Sequence, residues 1–276
     1  MNFGGGGDHW CQGGIANRET AKDPSAMNHI PDELMKTAQE WCQNAKAPMV
    51  FSGAGLSVES GISAFRTKDG LWNQVDVEKY ATPQGFQDNP RAVRDWYWER
   101  RVALPNAEPN EGHFALARTS WRHATQNVDD LLERAGCDNI LHLHGTLLRE
   151  RCHHNCGYQT AVDVATGRPP EVCPECNAPT RPDVVWFYEP LHEQVIEQAE
   201  QWALSCDLLL VIGTRAEVTP AADLITIAKS VGARVVVVNP GEHVAGDLTD
   251  LTLSGAAGEV LPILLRDVLE TPRGST

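Results

Sequence analysis

Three short stretches of the chain run apolar through consecutive positions instead of alternating: PMVFSG (48–53), DLLLVIGT (207–214) and ARVVVVNP (233–240). A strand with one wet face alternates apolar and polar residues, whereas a strand of a parallel sheet covered on both faces does not. Helical spacing fills the gaps. Leu34, Ala38, Trp41, Cys42 and Ala45 recur on one face over 31–45, with Asp32 near the start. Leu191, Val195, Ala199 and Trp202 share a second face, and Ala221, Leu224, Ile225 and Ala228 a third. Strands separated by amphipathic helices predict an α/β fold, a doubly wound parallel (Rossmann-like) sheet. ILHLHGT (140–146) alternates instead, which predicts a strand ending at His144-Gly145 with His142 and His144 on the same side. Two regions break the rhythm. Residues 67–112 are rich in Trp, Tyr, Pro and Arg, and residues 151–182 carry four cysteines and several prolines; both read as insertions.

Each apolar run stops at a polar loop, and ligands of open parallel sheets bind beyond the carboxyl ends of the strands. The loops are Gly53-Ala54-Gly55, Gly213-Thr214 and Asn239-Pro240. Gly53 and Gly55 permit a tight turn and close backbone approach, while Ser57 and Ser60 suit the cap of a following helix. The start of such a helix would face an anion such as a pyrophosphate, with Arg66 beside it. The spacing is neither the usual dinucleotide fingerprint nor a phosphate loop, so a plain turn is the competing reading. Gln126, Asn127 and Asp129 cluster just before a predicted helix, where simple capping competes with a binding role. His144, at a strand end near the glycine loop, is a candidate general base.

Composition narrows the chemistry. The 276 residues carry a net charge of −14, which argues against a nucleic-acid surface. No apolar run is long enough for a transmembrane helix, and no secretory signal opens the chain, so a cytoplasmic protein is expected. Residues 1–28 read as a disordered tail. Of eight cysteines, four form two close pairs, Cys152/Cys156 and Cys173/Cys176. Two turns offering two thiolates each predict a structural tetrahedral zinc site, with His153 or His154 as competing ligands. Cys11, Cys42, Cys137 and Cys206 are scattered and read as ordinary.

Taken together, GAGLSVESGISAFR, TQNVD, HLHG, the cysteine pairs, RPDVVWF, GTRAEVTPAA, VVVVNP and GAAGEVLP, in that order over roughly 45–265, resemble the sirtuins, the NAD-dependent protein-lysine deacylases. The resemblance implies that Gly53, Ala54, Gly55 and Ser57 line the pyrophosphate of NAD and that Phe65 and Arg66 lie by the nicotinamide ribose. It implies further cofactor contacts from Gln126, Gly213, Thr214, Asn239 and Ala256, with Asn127 and Asp129 in the nicotinamide pocket. In the implied reaction nicotinamide leaves, the acyl-lysine oxygen attacks the ribose, and His144 activates a ribose hydroxyl; the products are lysine, nicotinamide and acyl-ADP-ribose. Val185, Trp186 and Phe187 would pair with the substrate peptide by strand addition.

RDWYWERR (94–101) adds a sharper expectation. Tyr97 and Arg100 are three residues apart and share a helix face. The sirtuin branch that removes succinyl, malonyl and glutaryl groups carries this pair, and Ala81 matches the small residue that widens its acyl pocket. An arginine and a phenol suit an acyl tail that ends in a carboxylate. Arg215 departs from the family in standing where a serine usually follows Gly-Thr, and Tyr188 in standing where glycine is usual after Trp-Phe. The expected division is an NAD-binding domain of 29–66, 113–150 and 183–270, an acyl-pocket insertion of 67–112 and a zinc module of 151–182. NAD hydrolysis or ADP-ribosyl transfer on the same fold, and a non-catalytic zinc-ribbon binding module, are the alternatives.

Overall fold

The computed structural model describes residues 30–62, 76–241 and 246–268. The expected tail, Phe65 and Arg66 lie outside the described residues. The chain opens with helix α1 (Asp32–Asn44) and strand β1 (Pro48–Ser52). A helical region follows: α2 (Val77–Tyr80), α3 (Pro83–Asp88), α4 (Pro90–Ala103) and α5 (Glu111–Ala117). Then come β2 (Arg122–Thr125), α6 (Leu131–Ala135) and β3 (Ile140–His142). The cysteine region supplies β4 (Gly145–Cys152), β5 (Gln159–Ala161) and β6 (Thr180–Val184). Helix α7 (Glu193–Leu204), β7 (Leu208–Ile212), α8 (Asp223–Ser230), β8 (Arg234–Val238), β9 (Leu251–Leu253) and α9 (Ala257–Leu264) complete it.

Six strands form one sheet in the order β3-β2-β1-β7-β8-β9, every pairing parallel. The uninterrupted apolar runs have a direct cause. Val50, Leu208, Leu210, Ile212, Val236 and Val238 face the layer containing Ala38, Cys42, Leu116 and Leu261. The residues between them, Met49, Phe51, Leu209, Val211, Val235 and Val237, face Ala199, Ala203, Leu224 and Ala228. Side chains alternate across the sheet, but a helical layer buries each side. Strand order reverses at β1: the chain first builds outward through β2 and β3, then returns to lay β7 on the other side. That reversal opens a crevice at the carboxyl ends of β1 and β7.

The short stretch 113–125 holds both a helix and a strand because each is well anchored. Asn110 and His113 form a reciprocal capping box at the start of α5. Strand β2 pairs with β1 from Met49–Arg122 to Ser52–Thr125, and the Gln126 amide extends that ladder by donating to Ser52 O at 2.9 Å. The second sheet, β5-β4-β6, is antiparallel and carries the cysteines. Among the described residues no helix is long and apolar enough to cross a membrane.

Two expectations need correction. The strand through 140–146 stops at His142; residues 143 and 144 turn, and Gly145 begins β4 in the other sheet. Gly145 sits at φ 75°, a conformation that favours glycine, and a Cβ there would lie 2.0 Å from Asp183 O. The bend between sheets therefore overrides the alternating pattern. The segment after Gly55 is also not an α-helix among the described residues. It forms two 3-10 turns, Ala54–Leu56 and Val58–Ser60, and Ser57, at the cap position of the second, makes no side-chain cap hydrogen bond.

Candidate active site

The glycine loop is shaped by proximity. A Cβ on Gly53 would lie 2.8 Å from Thr214 Cβ, and one on Gly55 would lie 2.6 Å from Gly213 Cα. The amides of Gly53 and Gly55 donate to Ile212 O and Gly213 O at 3.0 and 2.8 Å. These amides are therefore engaged by the neighbouring strand end, and what the two glycines supply is closeness of two loops rather than free donors. Thr214 Oγ1 donates to Gln126 Oε1 at 2.6 Å, which ties the ends of β7 and β2 together across β1.

Ser57 is fully buried and sits at the centre of the polar cluster. Its hydroxyl accepts from Asn127 Nδ2 and donates to Asp129 Oδ2, both at 3.1 Å. Asp129 Oδ1 also receives the Leu131 amide at 3.2 Å, although the cap position of α6 belongs to Asp130, which makes no side-chain cap hydrogen bond. Burial holds the Asp129 carboxyl above the usual carboxylate range, against the pull of those two hydrogen bonds. Asn127 Oδ1 is buried with no hydrogen-bond partner among the described residues. An orphaned amide oxygen at the switch point of the sheet fits a ligand donor such as a carboxamide.

His144 lies on the turn between the two sheets, with Nδ1 3.1 Å from Gln126 O. A carbonyl only accepts, so Nδ1 carries the proton and Nε2 is the basic nitrogen. Burial lowers the imidazole pKa despite that hydrogen bond, so the ring stays neutral below the usual histidine value. His142 is bound differently: Nδ1 meets Asn127 O at 2.9 Å and Nε2 meets Glu133 at 2.6 Å. Asn239 and Ala256 lie at the far side of the crevice. The Asn239 amide donates to Leu253 O, and Ala256 precedes α9, whose Gly258 amide donates to Glu59 at 2.6 Å.

A separate apolar cluster lies under the helical region. Ala81, Phe86, Val93, Tyr97, Leu147, Val184 and Trp186 form a cluster of their own. Tyr97 is buried, and its hydroxyl accepts from Trp186 Nε1 at 2.9 Å. Burial pushes the Tyr97 phenol up to about 12 and Arg100 down to about 10. The Arg100 guanidinium stacks 3.1 Å over the Trp96 ring and donates through Nη1 to Trp96 O, but its buried Nε has no partner among the described residues. Residues 185–187 are not a free strand. Their amides donate to His144 O, Glu189 Oε2 and Ala81 O at 2.9, 2.9 and 3.0 Å, so pairing with a peptide there falls to carbonyls.

The two residues that depart from the family have local partners. Tyr188 adopts φ 69°, the backbone shape that favours glycine, and is 81% exposed, donating its hydroxyl to Glu78 at 2.8 Å. Arg215 is exposed and paired with Glu217 at 2.9 Å.

Cys152, Cys156, Cys173 and Cys176 bring their four sulfurs within 4.8 Å of one another. Four thiols converging from two turns fit a zinc ion and leave no open ligand position. His153 is not part of the cluster; its ring packs on Phe86 at 4.8 Å. Cys42 and Cys206 are buried in the core, and Cys137 is half-buried beneath it. Sequence reasoning missed His123. It lies buried under the crevice, 2.7 Å from the Ser52 hydroxyl, which donates to Thr125 Oγ1, which in turn receives the Asn127 amide. His123 sits inside a strand, where its periodicity looks like that of any core residue.

A doubly wound sheet with buried polar groups gathered at its switch point, and a four-thiol module beside it, define an α/β protein whose ligand crevice is expected at the carboxyl ends of the central strands β1 and β7. The Sir2 family's profile matches residues 53–220, and the chain belongs to that family. It is 42% identical over 233 residues to an NAD-dependent protein deacylase of Ralstonia nicotianae, covering 83% of this chain and 94% of the relative. It is 41% identical to NAD-dependent protein deacylase 1 of Archaeoglobus fulgidus, covering 87% and 98%. A solved Sir2 homologue–NAD complex superposes with a TM-score of 0.77 at 41% identity, covering 87% of this chain and 94% of that one. Sir2Af2 bound to a myristoylated histone peptide gives a TM-score of 0.68 at 31% identity, covering 86% and 96%.

Proposed function

We propose that this protein is an NAD-dependent protein-lysine deacylase that prefers acyl groups ending in a carboxylate, such as succinyl and malonyl, and acts on acylated proteins in the cytoplasm. The crevice formed by 29–66, 113–150 and 183–270 takes NAD, the insertion 67–112 takes the acyl tail, and 151–182 holds structural zinc on its four cysteines. Bound NAD would supply a ribosyl carbon that takes up the acyl oxygen as nicotinamide departs.

The protein's own groups have distinct tasks. Asn127 Oδ1, unpartnered and fixed through Ser57, receives the nicotinamide amide, and Asp129 shares that anchorage. His144 Nε2 accepts a proton from a ribose hydroxyl, its tautomer held by Gln126 O. Gly53, Ala54, Gly55, Gly213, Thr214, Asn239 and Ala256 line the cofactor, with Phe65 and Arg66 beside the ribose. The peptide lies along 185–187.

The acyl preference is carried by one observation. Arg100 Nε is buried and unpartnered among the described residues, on the same helix as Tyr97 and beside the apolar cluster that contains the small Ala81. A carboxylate reaching that cluster satisfies an arginine donor that the fold leaves open. The test supplies NAD with matched succinyl-lysine and acetyl-lysine peptides and follows nicotinamide and free lysine. Peptide-dependent release with a higher kcat/KM for succinyl is expected. Release without peptide would favour the hydrolase reading, and no turnover on either peptide would overturn the proposal.

A further inference from the structure

We propose that Trp186 determines acyl specificity by fixing Tyr97 as a hydrogen-bond donor toward the substrate's carboxylate, an inference that rests on the acidic-acyl reading. An indole N–H donates and never accepts. With Trp186 Nε1 2.9 Å from the Tyr97 oxygen, the direction of that hydrogen bond cannot reverse. The phenol oxygen is already receiving, so its own proton points elsewhere, and among the described residues no acceptor takes it. A serine or amide in place of the indole would let the phenol turn round. The indole leaves it only one role, that of donor, which is the role a carboxylate requires.

Trp186 is itself clamped on every side. Its amide donates to Glu189 Oε2 at 2.9 Å. The Arg181 guanidinium lies 3.2 Å from the centre of its ring, and the Phe86 ring packs 5.3 Å away. Arg181, only 1% exposed, donates to both Glu189 oxygens at 2.6 and 2.9 Å and to Val184 O at 2.6 Å. A buried ion pair is weak evidence for stability. Here it forms a platform: one carboxylate holds the tryptophan backbone and the arginine that covers its ring. Glu189, Arg181, Trp186 and Tyr97 thus form a relay from the small sheet to the acyl pocket, ending at one oriented hydroxyl. Trp186 acts through Tyr97 and is a positioning residue.

The test is a double-mutant cycle of Trp186→Phe and Tyr97→Phe, read as the ratio of succinyl to acetyl kcat/KM. Losing one neutral hydrogen bond predicts that W186F lowers the ratio about fivefold, through KM for the succinyl peptide. The double variant should match Y97F alone within about twofold, because both changes remove the same oriented hydroxyl. A second measurement does not depend on W186F folding or on any substrate: with the indole nitrogens labelled, one N–H resonance should move between wild type and Y97F. Unchanged selectivity in W186F, additive losses in the double variant, or no moving indole resonance would each overturn the role of Trp186. A wild-type protein without succinyl preference would instead overturn the acyl reading beneath it, with the indole resonance still reporting the hydrogen bond.

Discussion

The Ser57 hydroxyl donates to the Asp129 carboxylate at 3.1 Å, joining the glycine loop after β1 to the loop after β2 across 72 positions of chain. The same oxygen accepts a hydrogen bond from Asn127 Nδ2, so one small side chain holds two groups assigned to the cofactor. Ser57→Ala leaves a buried carboxylate oxygen and a buried amide without that partner. Stability should fall by about 1–3 kcal/mol in urea unfolding. Nicotinamide release should slow as well, and an unchanged kcat/KM would contradict the anchoring role.

Arg100→Met removes the guanidinium, whose Nε has no partner among the described residues, and keeps the apolar stem. A charge-assisted hydrogen bond is worth roughly 1.5–3 kcal/mol, so selectivity for succinyl over acetyl should fall at least about tenfold. Equal losses on both peptides would discard the carboxylate clamp. The substitution also removes the stacking on Trp96 and the hydrogen bond to Trp96 O, so stability should fall by about 1–2 kcal/mol.

Acid stability should report the buried histidines. Burial pushes His113 down to about 4 and His123 down to about 3. The unfolded chain protonates the same groups near pH 6.5. Between those values the unfolded state binds more protons, so stability is full above about pH 6.5 and falls as pH drops below it. His142 and Asp129 work the other way. Burial alone would lower His142, but the hydrogen bond and charge of Glu133 hold it above its usual value, and burial raises Asp129. A comparison isolates one group: in His123→Gln the slope of stability between pH 6.5 and 5 should be shallower by about 1 kcal/mol per pH unit on average. Identical slopes in urea unfolding would contradict the assignment.

Zinc should be structural. Cys176→Ser removes one of four converging ligands, and atomic absorption should find bound zinc below one equivalent. The small sheet has a small core, Cys152, Cys173 and Ala178 with Tyr158 against them, so metal loss should lower the melting temperature. Full zinc occupancy in the variant would point to a substitute ligand such as His154.

Local pattern and tertiary structure divide this protein cleanly. Continuous apolar runs at 48–53, 207–214 and 233–240 announced doubly covered strands, and two close cysteine pairs announced a metal module, because both signals depend only on neighbours a few positions away. The pattern failed where one sheet hands over to another: 140–146 alternates like a single strand, yet Gly145 bends it and puts His144 on a turn. It was equally silent on Ser57 meeting Asp129 and on Trp186 meeting Tyr97, 89 positions apart. Periodicity says which side of an element a residue faces. Which group waits on that side is decided only when strand order and crossovers bring distant segments together.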